Sequence, residues 1–111
     1  MSVYNLKDII RLNQEVGEEG QLQNESSLAF ALSLSRGKKS WLYELTYLVR
    51  SLVVDHAFVD GNKRTAYLLC SLMLQDAGKA YEDRALVETI HKIARKSTKD
   101  INQIARWLRA C

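Results

Sequence analysis

"SWLYELTYLVRSLVVDHAFVDGNKRTAYLLCSLMLQDAG", residues 40–78, sets two strongly apolar stretches on either side of a short polar one. The first stretch, "SWLYELTYLVRSLVVDHAF" at 40–58, reads as one helix, with Trp41, Leu45, Leu48, Leu52 and Val53 on one face. Leu42, Tyr47 and Val49 widen that stripe, so this helix is expected to be central and largely buried. In the second stretch Ala66, Leu69, Leu72 and Met73 form an inner side, and Gly78 is a natural stop.

The same period extends outward in both directions. Upstream, Ile9, Ile10 and Leu12 give an apolar side to a helix over about 6–15, and "GEEGQLQNESS" follows as a polar loop. Asn24 or Ser26 is suited to cap the next helix, "SLAFALSLS". "RGKKS", 36–40, breaks the pattern as a basic turn or small hairpin. Downstream, "DRALVETIHKIARKS" is amphipathic through Leu86, Ile90 and Ile93. "TKDINQIARWLRAC" opens at a cap-like Thr98 and presents Ile101, Ile104, Trp107 and Leu108 on one side. The expectation is an all-α, compact single domain over residues 1–111. It has five to six helices around one core, with either a solvated basic turn or a short flap hairpin near 33–41.

Composition supports this. The 111 residues contain no proline and few glycines, and nearly half are apolar, enough for a core without disulfides or a structural metal. The formal net charge of +3 suits an anionic ligand such as a nucleotide, but is too small to argue for nucleic acid, including the basic cluster Lys92, Arg95, Lys96 and Lys99. Cys70 reads as a core residue and Cys111 as an exposed terminal one, with no disulfide framework. "MSVYNLKDII" lacks a signal peptide's apolar block, and no stretch is long enough to span a membrane, so the expected setting is reducing and cytoplasmic.

The polar break, "HAFVDGNKRTA" at 56–66, carries the chemistry. A helix start leaves backbone N–H groups without partners and carries partial positive charge. Gly61 permits a tight backbone and close approach of a ligand, so amides near Gly61, Asn62 and Lys63 could receive phosphate oxygens. Lys63 and Arg64 add fixed positive charge. Asp60 would be repelled by phosphates alone but suits a Mg²⁺ ion bridging them. His56 can take a proton from an attacking hydroxyl near neutral pH. An ordinary turn, with Asn62 as a helix cap and His56 at a helix end, explains the same residues. Composition and spacing leave both readings open.

The loop resembles the signature of the Fic/Doc superfamily, H-x-F-x-[D/E]-[G/A]-N-[G/K]-R, at His56, Phe58, Asp60, Gly61, Asn62, Lys63 and Arg64. The flanking helices, "ESSLAFALSLS" and the closing "IARWLR" look like the small death-on-curing (Doc) branch. The resemblance implies His56 as general base, Phe58 as the buried anchor of the loop and Asp60 as the Mg²⁺ ligand. Gly61 and Asn62 would shape an anion hole, and Arg64 would bind phosphate. AMP-transferring relatives have glycine where this chain has Lys63, whereas Doc-like kinases have lysine, whose side chain fills a second anion pocket. The later arginine of the AMP-transferring pattern is replaced by Tyr67. Gly61 stands where the best-known Doc pattern has alanine, a small change in size.

By this resemblance the chain is a toxin-like kinase. It would transfer the γ-phosphate of ATP, with Mg²⁺, to a hydroxyl of a target protein such as a translation elongation factor. A separate antitoxin-type inhibitor would restrain it, since position 15 is glutamate where the family's inhibitory pattern needs Ser or Thr and only Glu19-Gly20 matches its end. AMP transfer by the same site and a catalytically silent protein-binding domain are the alternatives. "RGKKS" is no P-loop, because Leu32 stands where the earlier glycine is required. His56, His91, Cys70 and Cys111 lack the spacing of zinc ligands. His91 reads as a surface residue, and Trp41 and Trp107 as core.

Overall fold

A computed structural model describes residues 4–34 and 40–111. Six helices follow in order: α1 (Leu6–Glu15), α2 (Glu25–Ser33), α3 (Trp41–Val53), α4 (Asn62–Asp76), α5 (Asp83–Lys96) and α6 (Ile101–Arg109). Their starts are mostly set by short polar side chains that satisfy free amides. The Asn5 side chain accepts from the Asp8 amide while the Asp8 carboxylate accepts from the Asn5 amide, both at 2.9 Å. Asn24 caps α2 and Ser40 caps α3. At α6 the cap is Asp100, which accepts from Asn102 and Gln103, and not the expected Thr98.

α3 is the hub, packed against α2, α4, α5 and α6. Leu45, Leu48, Val49 and Leu52 are fully buried on it, facing Leu69, Cys70 and Met73 of α4, Ile90 and Ile93 of α5, and Ile104 of α6 in one core. Trp41 and Trp107 are only partly buried at its edge, and Lys92 Nζ lies 4.0 Å from the Trp107 ring centroid. Cys111, expected exposed, is also partly buried. Its Sγ meets the Thr89 hydroxyl at 3.3 Å and the Trp107 carbonyl at 3.4 Å. Both cysteines are free, and burial pushes the Cys70 thiol pKa far up, which leaves it inert.

One expectation changes, and another falls outside the described residues. α3 stops at Val53, before the apolar run ends, because the chain turns sharply at His56. The flap hairpin near 33–41 lies outside the described residues: Ser33 ends α2, Ser40 caps α3, and 35–39 fall between. Among the described residues the β-structure is a single bridge, Leu22 with Phe58, and no helix is long and apolar enough to cross a membrane.

Candidate active site

The loop between α3 and α4 is fastened from three sides. At its start, Asp55 N donates to Arg50 O and Ala57 N to Ser51 O, both at 3.1 Å, which closes off α3. His56, between them, takes the left-handed φ of +54°, costly for a residue with a Cβ. The polar segment before α2 then runs alongside. Gln23 N and Asn24 N donate to Ala57 O at 2.8 and 3.0 Å, and Val59 N donates to Gln21 O at 3.0 Å. Phe58 is fully buried in the core. The Asn62 side chain grips the same residue from α4. Its Nδ2 donates to Phe58 O and its Oδ1 accepts from Phe58 N, both at 2.9 Å. Asn62 thus shapes the loop by imitating a neighbouring strand, and it is not the cap of α4.

One further fastening has no counterpart in the sequence reading. Asn13 of α1 is 1% exposed. Its Nδ2 donates to Asp60 O at 3.0 Å and to Thr65 Oγ1 at 3.1 Å, and its Oδ1 accepts from Gly20 N at 2.8 Å. One amide therefore joins α1, the loop after it, the polar loop and α4. The signal in the sequence was an asparagine four residues after Ile9, on the inward side of an amphipathic helix.

Gly61 is the N-cap of α4, with a left-handed φ of +75° and no capping side chain. A Cβ there would stand 2.5 Å from Glu18 Cγ, so an alanine would be strained by the backbone and would displace the Glu18 side chain. The Gly61 amide itself is taken by Asp60 Oδ1 at 3.0 Å. The amides left to an anion are therefore those of the first turn proper, from Asn62 onward.

A cavity of about 590 Å³ opens over this turn. His56, Asp60, Gly61, Asn62, Lys63 and Arg64 all line it, so the structure brings the expected polar residues of the loop to one place. His91 and Arg95 of α5 form the facing wall. His91 is exposed as expected, yet it belongs to this cavity, and Arg95 leaves the supposed basic cluster to join Lys63 and Arg64 around it. Charge and helix orientation thus favour an anion. Arg64 is partly engaged already: it donates to Val16 O at 2.6 Å and pairs with the Glu18 carboxylate.

Asp60 is exposed at the cavity wall. Among the described residues no group of three or more His, Cys, Asp or Glu could hold a metal by itself. Mg²⁺ with bound phosphates needs only one or two carboxylates, so Asp60 fits that ion. No curated protein and no solved structure gives a significant match to the chain. The model of the Fic/DOC family matches residues 4–74, from before α1 through the fastened loop and nearly all of α4. That span is more than half of the sequence, and the chain belongs to the Fic/DOC family, whose members are generally transferases that use nucleotide substrates.

Proposed function

We propose that this chain is a Doc-like kinase that transfers the γ-phosphate of ATP to a hydroxyl group of a target protein. The observation that carries the reading is that one cavity gathers His56, Asp60 and Lys63 at the uncapped start of α4. In the reaction the target oxygen bonds to the γ-phosphorus and the bond to the bridging oxygen of the leaving ADP breaks. His56 accepts the hydroxyl proton, a role served by its place on the cavity wall at the bend of the loop. The amides opening α4, with Lys63 and Arg64, hold the phosphates and counter the charge that spreads over them. Mg²⁺ held by Asp60 would neutralise further phosphate charge. Lys63, exposed and lining the cavity, supports the choice of phosphate over AMP transfer, as does Tyr67 in place of a second arginine. The target, which the resemblance suggests is a translation elongation factor, and an antitoxin-type partner are parts of the same proposal.

The co-product distinguishes the reactions. Incubated with Mg²⁺, ATP and a cell lysate, the protein is expected to release ADP beyond the lysate's own background, and the His56→Ala variant is not. Release of pyrophosphate by the wild type would replace the kinase with AMP transfer. Release of neither would favour a silent binding domain.

A further inference from the structure

Asp55 and His56 are neighbours in sequence but line different cavities. His56 lines the one over the start of α4. Asp55 lines a separate cavity of about 340 Å³ on the α2–α3 side, with Asn24, Ser27 and Ser51. There the first turn of α2 holds it. The Ser27 hydroxyl donates to Asp55 Oδ2 at 2.7 Å and shares a hydrogen bond with Ser51 Oγ at 2.9 Å. The Asn24 side chain, which caps α2, donates through Nδ2 to Asp55 O at 3.2 Å. Ser51 is 1% exposed, and its carbonyl accepts from Ala57 N at 3.1 Å. One connected set of polar groups therefore runs from α2 to both residues that flank His56.

The two backbone angles of His56 are the rotations between the peptide group before it and the peptide group after it. Asn24 holds the first through Asp55 O, and Ser51 holds the second through Ala57 N. The Ser27 hydroxyl, between the Asp55 and Ser51 side chains, ties the two holds together. A residue with a Cβ stays at a φ such as +54° only where its surroundings leave it no alternative. Ser97, the other described non-glycine residue with positive φ, differs. It ends α5 through the backbone bonds of a helix stop, Ser97 N to Ala94 O and Thr98 N to Ile93 O, with no side-chain clamp on its neighbours. We propose that Asn24, Ser27 and Asp55 are positioning residues for His56, which fix the bend from its far side and so keep the imidazole on the cavity wall. The proposal rests on the reading of His56 as the base and adds the residues that set its aim.

The chain has two histidines, so their imidazole NMR signals test this on the full chain. His56→Ala assigns the His56 ring by the loss of its signals. Ser27→Ala, which suits a helix and so keeps α2, and Asp55→Ala are expected to shift or broaden the His56 signals and leave those of His91 in place. Asp55→Asn keeps an oxygen for the Ser27 hydroxyl and is expected to keep the wild-type spectrum. In transfer of γ-labelled phosphate from ATP to lysate protein, the two alanine variants are expected to lose roughly ten-fold in maximal rate at an unchanged KM for ATP, and Asp55→Asn to stay close to wild type. A folded Ser27→Ala protein with unmoved His56 signals overturns the proposal. So do alanine variants that move both histidines alike, or that raise KM as the rate falls, because general loosening of the fold would do the same. Movement of the His56 signals alone, in a protein whose wild type transfers no phosphate, would sustain the clamp and overturn the kinase reading.

Discussion

His56 is both the proposed base and the most strained described backbone position of the fold's central turn, at φ +54°. An alanine there keeps the left-handed cost of about 1 kcal/mol, whereas a glycine does not. His56→Gly is therefore expected to melt higher than His56→Ala, by about 1 kcal/mol in denaturant titration, with both variants losing roughly 10²- to 10⁴-fold in transfer rate. Equal stability of the two would show that the bend carries no strain. Phe58 and Asn13 hold the turn from below. Phe58 was expected as an anchor only through the resemblance of its loop to the Fic/Doc signature. Asn13 was not, because its partners Gly20, Asp60 and Thr65 are up to 52 residues away. Asn13→Ala strands the buried Thr65 hydroxyl and two backbone groups, and should destabilise the protein by roughly 2 kcal/mol in the same titration.

Helices that begin on local signals were predictable from local sequence. α1 runs over Leu6–Glu15 as its apolar spacing implies, because capping box and periodicity both lie within it. α3 shows the opposite. Its apolar run continues to Phe58, but Val53 ends the helix, since Ala57 and Phe58 are buried through loop contacts with residues 21–24 and not on a helical face. The start of α4 holds two consequences. Gly61 looked interchangeable with alanine by size, yet its φ and the Glu18 side chain forbid a free exchange. Gly61→Ala should cost about 1–2 kcal/mol, read as a lowered melting temperature. Arg64 is paired with Glu18, a residue one position before the Glu19-Gly20 pair singled out in the sequence. Both partners are solvent-accessible, so the pair is worth little, and Glu18→Gln should tighten tripolyphosphate binding by only about two- to five-fold. Weaker binding in that variant would show that Glu18 orients Arg64 for the anion.

The six helices converge so that α3, α4 and α5 together wall the proposed site, while α1 supports it from behind through Asn13. The contribution of α5 could not be seen in its sequence. His91 and Arg95, four residues apart on an exposed face, become cavity residues only when α5 packs against α3 and α4. The apolar core along α3 and α4 was expected, but a buried carboxylate on α3 was not. Glu44 is 5% exposed on α3, and its Oε1 has no hydrogen-bond partner among the described residues. Burial raises its pKa above the ordinary 4.5, so the fold disfavours the ionised form. The penalty is therefore present above the folded pKa and disappears as pH falls below the unfolded value. Glu44→Gln should melt higher than wild type near neutral pH, and the difference should close as the pH approaches about 4. A gap that widens on acidification would contradict a buried, unpaired carboxylate.

Which phosphorus of ATP reaches the target separates a kinase from an AMP transferase most directly. ATP labelled separately at the α- and the γ-phosphate, mixed with the protein, Mg²⁺ and a cell lysate, reports this in one pair of reactions. The wild type should place γ-label on a lysate protein and no α-label, and Lys63→Gly should lower the γ-transfer. Lys63→Gly combined with Tyr67→Arg is the variant in which α-label would first be expected. Transfer of α-label by the wild type, with none from the γ-position, would contradict the kinase assignment.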